Sequence, residues 1–415
     1  MNILIFNAYY FPEMAASMYL EGDIAEGFAN ENKVIMYVPV PSRGVSDETR
    51  KEYKKKKLEY HCEGRLKIAR YNLMKESRNP LLRAFRYFIQ NIKQYYCGIS
   101  TNNVDVIFSG STPPTQGAMC SLVKKKLCKK YNRYVPFVFN LQDIFPDSLV
   151  NARMTREGSF LWKIGRKIED FTYKNADAII VISESFKKNI MAKGVPEEKI
   201  TVIPNWADTG AIVPIPRKEN KIIQRYHLDP EKIFITYSGN IGMSQNMDLL
   251  LDTAKGLINE LPNLQFIIIG DGVDRERVQK RVADESITNI AMLPFQPYED
   301  IAHVFNLGDI GLIISKKGIG SNSVPSKTWG YMAAGKPILA SFDRSSELYN
   351  IISNENCGIC AEAEDIDEFI QAIRHMINNK NLKQMGEAGR RYIEKTLSPA
   401  VGVEKYVKVI ENVIL

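Results

Sequence analysis

Residues 205–220 read NWADTGAIVPIPRKEN, and this stretch decides how the chain is divided. Two prolines and a run of polar residues interrupt a pattern that holds on either side of them. Upstream, short Ile/Val/Phe-rich runs at 2–7, 33–40, 104–110, 135–141, 177–183 and 199–204 alternate with helix-length amphipathic segments. Downstream the alternation restarts, with runs at 233–239, 264–272, 289–293, 309–315, 336–341 and 358–362. Nearly unbroken apolar runs mark strands buried on both faces of a parallel sheet, and their alternation with helices is the α/β signature. The expected fold class is therefore α/β, with two doubly wound Rossmann-like domains that meet near residue 205. Ligands are expected in a cleft facing the ends of the strands.

A chain of 415 residues exceeds the size at which one core keeps growing, which agrees with two domains. No apolar run approaches the ~18 residues of a membrane span. The N-terminus MNILIFN reads as a first strand, not as a signal peptide. Six scattered cysteines suggest reduced thiols and a cytoplasmic setting. Cys357 and Cys360 form a C-x-x-C, but no second pair stands at zinc spacing and the flanks read as a late strand. The four histidines are dispersed, so no metal and no cofactor is expected.

Charge is uneven. Residues 1–209 hold 32 Lys and Arg against 22 Asp and Glu, and the remainder holds 23 against 26. The first half is thus the part suited to an anionic surface. Within it, residues of about 45–98 break the regular alternation as a basic insertion containing KEYKKKK (51–57) and SRNPLLRAFRYFIQNIKQYYC (77–97). Leu81, Leu82, Phe85, Phe88, Ile89, Ile92 and Tyr96 form one helical stripe, flanked or opposed by Arg78, Arg83, Arg86 and Lys93. Two readings stand: a core helix with a solvated basic face, or an interfacial helix on an anionic membrane. Nucleic acid is not expected, because no recognised motif accompanies the charge.

Loops at strand ends carry the candidate chemistry. Ala15, Ala16 and Ser17 supply small residues before a helix, where backbone could approach a bound group. Ser111 and Gln116 in SGSTPPTQG, and Asp143 in NLQDIFPDS, could meet a polyhydroxylated ligand. YSGNIGMSQNMDLLL presents Gly239, Asn240 and Gln245, and IIIGDG presents Gly270 and Gly272 in strand–glycine–helix form. Lys316 and Lys317 precede a stretch running Gly320 to Ser341, GSNSVPSKTWGYMAAGKPILAS. There Asn322, Ser323, Val324, Pro325 and Ser326 lead to Lys327 in the first turn of a helix. Amides and a lysine suit a departing diphosphate, on which negative charge builds.

Taken together, YYFPE, NLQDIFPDS, KITVIPNWAD, YSGNIGMSQNMDLLL, IIIGDG, LPFQPYEDI and SVPSKTWGYMAAGKPILAS resemble, in order, the retaining family-4 glycosyltransferases of the GT-B fold. The likeness spans nearly the whole chain, and its nearest branch builds bacterial capsule and O-antigen units. It implies an acceptor domain at 1–205, a donor domain at 206–395 and a last helix, 396–415, that returns to the first domain. It implies transfer of a sugar, an N-acetylated hexosamine or deoxyhexosamine, from a UDP-sugar to a polyprenyl-diphosphate-linked or other glycan acceptor. It further implies a peripheral position on the inner face of the plasma membrane. Phe295, Gln296 and Pro297 would line the nucleobase pocket, Asp143 would orient a sugar, and the acceptor hydroxyl would pass its proton to the leaving diphosphate. Two family glutamates, eight residues apart, fall here on Asn322 and Gly330, and a family Arg and Lys fall on Asn240 and Gln245. Phosphate neutralisation is then left to Lys327, Lys316 or Lys317 and helix N-termini. The alternatives are a nucleotide-sugar epimerase and a non-catalytic scaffold of the same fold.

Overall fold

A computed structural model describes residues 1–13, 18–77, 79–151, 155–318 and 324–414. The chain forms two compact units, Met1–Asn205 with Ala400–Leu415, and Trp206–Pro399. Each is built on one sheet.

In the first unit the strands are β1 (Asn2–Phe6), β2 (Lys33–Pro39), β3 (Leu58–His61), β4 (Leu66–Tyr71), β5 (Val106–Gly110), β6 (Phe137–Leu141), β7 (Ala178–Val181) and β8 (Ile200–Val202). Their order is β3-β4-β2-β1-β5-β6-β7-β8. All neighbours run parallel except β3 with β4. β1 sets Ile3 beside Val34 on one side and Val106 on the other. Leu4, Phe6, Ile107, Val123, Phe137 and Phe139 share a buried core.

Within the basic segment of about 45–98, β3 and β4 add two strands to the edge of the sheet that the sequence reading did not pick out. β4 alternates buried Leu66, Ile68 and Arg70 with half-buried neighbours, a period of two with a charge in one inward place. Arg70 sits there because Glu59 on β3 meets its Nε at 2.6 Å and Phe11 O accepts from Nη2. Part of the lysine run also has a local cause. The helix Asp47–Lys55 is capped by Ser46, carries Asp47 and Glu48 in its first turn, and places Lys54 and Lys55 in its last, as the helix dipole favours.

The helix Pro80–Ser100 is turned inside out. Asn79 Oδ1 caps it by accepting from Leu81 N at 2.9 Å, with Pro80 in its first turn. Its apolar stripe is exposed: Leu81 by 80%, Phe88 by 60% and Tyr96 by 62%, with Leu82, Phe85 and Ile92 also outward. Arg86, Gln90 and Gln94 are buried. The expectation of a buried stripe with a solvated basic face is therefore reversed, and Arg86 is removed from the outward basic set. Its guanidinium donates to Met74 O and Ser42 Oγ, both at 3.2 Å. Arg83 is exposed and Lys93 half-buried. Arg78 lies outside the described residues. Among the described residues no helix is long and apolar enough to cross a membrane.

The second unit holds β9 (Ile233–Ser238), β10 (Leu264–Ile269), β11 (Ile290–Leu293), β12 (Ile310–Ile314), β13 (Ile338–Ser341) and β14 (Gly358–Ala361). Their order is β11-β10-β9-β12-β13-β14, all parallel. Tyr237, Leu250, Phe266, Ile268 and Leu312 belong to its core. The order reverses direction between β1 and β5 in one sheet and between β9 and β12 in the other. Loops leaving the carboxyl ends of strands at such reversals splay apart and open a crevice.

The chain's last helix, Pro399–Asn412, packs in the first unit. Tyr406 is buried edge-on to Phe108, and its hydroxyl donates to Asn140 Oδ1 at 3.0 Å.

Candidate functional site

In the second unit, the loop after β9 and the loop after β10 touch. Gly239 N donates to Ile269 O at 2.9 Å, and Ile241 N to Asp271 O at 2.8 Å. A Cβ on Gly270 would lie 1.9 Å from Gly239 O, so only glycine lets the two backbones approach this closely. Asn240 and Gln245 border the same turn: Gly242 N donates to Gln245 Oε1 at 3.1 Å, and Asn240 Oδ1 would stand 2.7 Å from a Cβ on Gly272. The loop after β12 joins them through Lys316 N, which donates to Ser244 O at 3.0 Å.

Lys327 reaches this turn from the helix Lys327–Ala333. Its Nζ lies 3.7 Å from the centroid of the Tyr237 ring and would be 3.3 Å from a Cβ on Gly239. No hydrogen bond or ion pair holds it among the described residues. Burial pushes its ammonium down from 10.5 to about 7, because a desolvated cation without a counter-charge favours its neutral form. The site thus offers a half-buried amine beside a glycine turn, with no hydrogen bond or ion pair to it among the described residues. Such an arrangement suits an anion.

The other expected donor residues divide. Lys317 is drawn to the surface, its Nζ 3.6 Å from Glu362. Gln296 is buried, and its amide is spent on Arg225, Tyr226 and Pro294, so only its backbone is left for a base. Phe295 beside it is exposed, and Pro297 precedes a single 3-10 turn, Tyr298–Asp300. Val324 and Pro325 are half-buried and Ser326 exposed. Pro325 O and Ser326 O accept from Thr328 N and Trp329 N. Asn322 and Ser323 lie outside the described residues. Gly330, where the family resemblance implied a glutamate, packs on Phe305: a Cβ there would stand 2.4 Å from the ring. A carboxylate has no room.

In the first unit, Ser111 Oγ accepts from Gln142 N at 3.0 Å. Gln142 in turn bonds Asn140 at 2.9 Å and accepts from Asn205 at 2.8 Å. Asp143 follows β6; crowding by neighbouring atoms raises its carboxyl, with a hydrogen bond from Ser148 opposing. Gln116 is fully buried at the start of the helix Gln116–Tyr131. Ala15, Ala16 and Ser17 lie outside the described residues. Glu21 was not foreseen. It accepts from Asn7 Nδ2 at 2.8 Å just past β1, and burial pushes it up to about 7 against that hydrogen bond. Its only sequence signal was an acid in the first turn after a small-residue loop.

Cys357 and Cys360 are pushed up to about 12 by burial, so both are thiols and neither is a ready ligand or nucleophile. Among the described residues no group of three or more His, Cys, Asp or Glu is placed to hold a metal ion.

Comparison with known proteins agrees with this arrangement. The family model "Glycosyltransferase Family 4" matches residues 23–211, and "Glycosyl transferases group 1" matches residues 218–392. A probable glycosyltransferase, WbjE of Pseudomonas aeruginosa, is 25% identical over 302 residues, 73% of each chain. The putative colanic acid biosynthesis glycosyl transferase WcaI of Escherichia coli K12 is 24% identical over 66% of this chain and 67% of its own. The crystal structure of Anabaena Alr3699/HepE in complex with UDP superposes with a TM-score of 0.71 at 12% identity, covering 99% of this chain and 100% of that one. With both units matched, each over most of its length, the chain belongs to the family-4 glycosyltransferases, with the two Rossmann-like domains of the GT-B fold.

Proposed function

We propose that this protein moves a sugar, an N-acetylated hexosamine or deoxyhexosamine, from a UDP-sugar to a lipid-diphosphate-linked glycan during assembly of a surface polysaccharide. The anomeric configuration is retained and no metal or other cofactor is needed. Lys327 is the observation that carries the reading. A half-buried amine with no counter-charge among the described residues, 3.7 Å from the Tyr237 ring and against the Gly239 turn, gains most from a ligand that brings negative charge. A nucleoside diphosphate is such a ligand. As the glycosidic bond to phosphate breaks, charge grows on the bridging oxygen, and a fixed ammonium with backbone amides stabilises it. Lys316 adds a second cation from the neighbouring loop. The acceptor hydroxyl then attacks from the face the diphosphate leaves, and hands its proton to that diphosphate. Asp143 orients a sugar hydroxyl. The UDP complex of HepE and the colanic acid assignment of WcaI support the choice of donor and pathway class.

A thermal-shift panel of UDP, GDP, ADP and UDP-GlcNAc, repeated on Lys327→Ala, tests the diphosphate site. A bound ligand raises the melting temperature by mass action. A UDP-selective rise that the variant loses is the expected result. No rise with any nucleotide would favour a non-catalytic scaffold.

The same reading places the protein against an anionic bilayer. Leu81, Leu82, Phe85, Phe88, Ile92 and Tyr96 form a continuous outward apolar row. A groove of about 760 Å³ beside it is lined by Arg50, Lys54, Lys75 and Lys93 among others. Apolar area with a basic border is the chemistry of interfacial helices.

A further inference from the structure

Three helices of the first unit lie side by side on one face of its sheet. Pro80–Ser100 links β4 to β5, Gln116–Tyr131 links β5 to β6, and Phe160–Asn175 leads into β7. Each connection joins parallel strands and steps the same way along the sheet, so right-handed crossovers put all three on the same face. Their contacts agree. A Cβ on Gly98 would stand 2.9 Å from Val123 Cγ1, and one on Gly117 would stand 2.2 Å from Thr172 Cγ2. The two outer helices both reach past the carboxyl edge of the strands. Arg86 of Pro80–Ser100 meets Ser42 just past β2, and a Cβ on Gly165 would stand 2.8 Å from Pro146 Cβ just past β6. The turns that precede Arg86 and Gly165 in each helix stand further out still. On Phe160–Asn175 that first turn is capped by Ser159, whose Oγ accepts from Trp162 N at 3.2 Å, and it is apolar. Phe160 is 81% exposed, and Leu161 and Ile164 are exposed with it. Leu161, Ile164, Ile168 and Phe171 recur at three- and four-residue spacing and so share one side. The Phe171 ring lies 4.7 Å from Lys125 Nζ, so that side runs next to Gln116–Tyr131, where Leu122 is exposed as well.

The free charge on this face has one sign. Pro80–Ser100 and Gln116–Tyr131 contain no Asp or Glu. On Phe160–Asn175, Glu169 and Asp170 are both held by Arg166. Lys126, Lys129, Lys163 and Lys167 are exposed, and none of them has an ion pair among the described residues. We propose that the first turn of Phe160–Asn175 is a second point of insertion into an anionic bilayer, working together with the exposed row of Pro80–Ser100. The inference rests on the bilayer reading above and adds the residues that fix how the protein lies on the membrane. A single amphipathic helix can roll about its own axis at an interface, whereas two such helices held apart by a third define a plane. The apolar tips enter the acyl boundary, and the lysines between them meet lipid phosphate. A second copy of the chain fits this face less well, because a two-fold contact would set its lysines against each other. Both points of insertion stand past the carboxyl edge of the sheet, which brings that edge to the bilayer.

The test is co-sedimentation of the full chain with phosphatidylglycerol vesicles and with phosphatidylcholine vesicles, with light scattering in the absence of lipid. Wild type is expected to bind the first and not the second. Phe160→Asp is expected to weaken binding at least tenfold, while its melting temperature stays within the range of surface changes. Lys163→Gln combined with Lys167→Gln leaves the apolar tip intact. It should weaken binding roughly tenfold or more and flatten its dependence on salt. If wild type binds neither vesicle, the bilayer reading itself falls and takes this inference with it. If wild type binds and Phe88→Asp releases it, but Phe160→Asp binds as tightly as wild type, only the second point of insertion is overturned. A wild type that is dimeric without lipid, beside a monomeric Phe160→Asp, would also overturn it and assign the patch to a second copy of the chain.

Discussion

Burial holds the Lys327 ammonium well below the usual lysine range, and its titration gives the sharpest check on the proposed donor site. Between about pH 7 and 10.5 the unfolded chain holds a proton here that the folded chain lacks. Stability of the ligand-free protein therefore rises with pH through that window, and the penalty is fully present below pH 7. Lys327→Met should raise stability at pH 6 by at most about 5 kcal/mol, and the gain should fade toward pH 10. UDP binding should reverse the shift. At pH 8 the free amine is mostly neutral, so complex formation should take up close to one proton, roughly 0.9 by the usual titration arithmetic. Titration in buffers of different ionisation enthalpy reads that number directly. Uptake near zero would mean that the diphosphate lies elsewhere. Gly330 carries the second residue-scale expectation. Installing the glutamate that the family resemblance implied, by Gly330→Glu, should not improve donor binding; with Phe305 2.4 Å from the new Cβ, it should cost about 1–3 kcal/mol through overpacking. Denaturant melts of the variant, alone and with Phe305→Ala, separate steric cost from loss of function.

Among the elements, the Pro80–Ser100 helix shows what one sequence can and cannot say. Its periodicity made the helix legible. Which face turns inward was not legible, because periodicity is the same for both, and burial of apolar residues is a tendency that a bilayer can overrule. The parallel strands of both sheets were legible for a simpler reason: buried on two faces, they carry unbroken apolar runs. β4 was missed because Arg70 occupies an inward place, made tolerable by Glu59 on a strand 11 residues away in sequence. Of the proposed donor site, the placing of Gly239 and Gly270 in turns at strand ends and of Lys327 in the first turn of a helix was legible, since glycine-rich loops after apolar runs mark such turns. The commitment of the Gln296 amide to Arg225 and Tyr226 was not, because those partners come from a distant segment. The reversed helix leads to a measurement. Phe88→Asp and Ile92→Asp should leave the melting temperature within the range of surface changes, about 0.5 kcal/mol, yet abolish co-sedimentation with phosphatidylglycerol vesicles. A loss of several kcal/mol would return the stripe to a protein core.

At the scale of the whole molecule, the last helix is remote in sequence from the unit it completes. Residues 400–415 belong with 1–205, and the intervening chain folds as its own unit. Tyr406, Val409 and Ile410 are buried there, each worth about 1.5–3 kcal/mol of apolar burial, and the Tyr406 hydroxyl also donates to Asn140 Oδ1. Val403 lies against Gly27, where a Cβ would stand 2.1 Å from its Cγ1. Ending the chain at Ser398 should therefore remove about 5 kcal/mol or more from the first unit and nothing comparable from the second. For a unit of this size that is a fall of roughly 10–20 °C. Calorimetry should show two transitions, with only one lowered by the truncation. UDP, held on the proposed reading by the second unit alone, should still raise the other transition by the same amount as in the full chain. If the UDP-dependent rise vanished with the helix, nucleotide binding would depend on the first unit as well, and Lys327 with its glycine turn would not be a sufficient donor site.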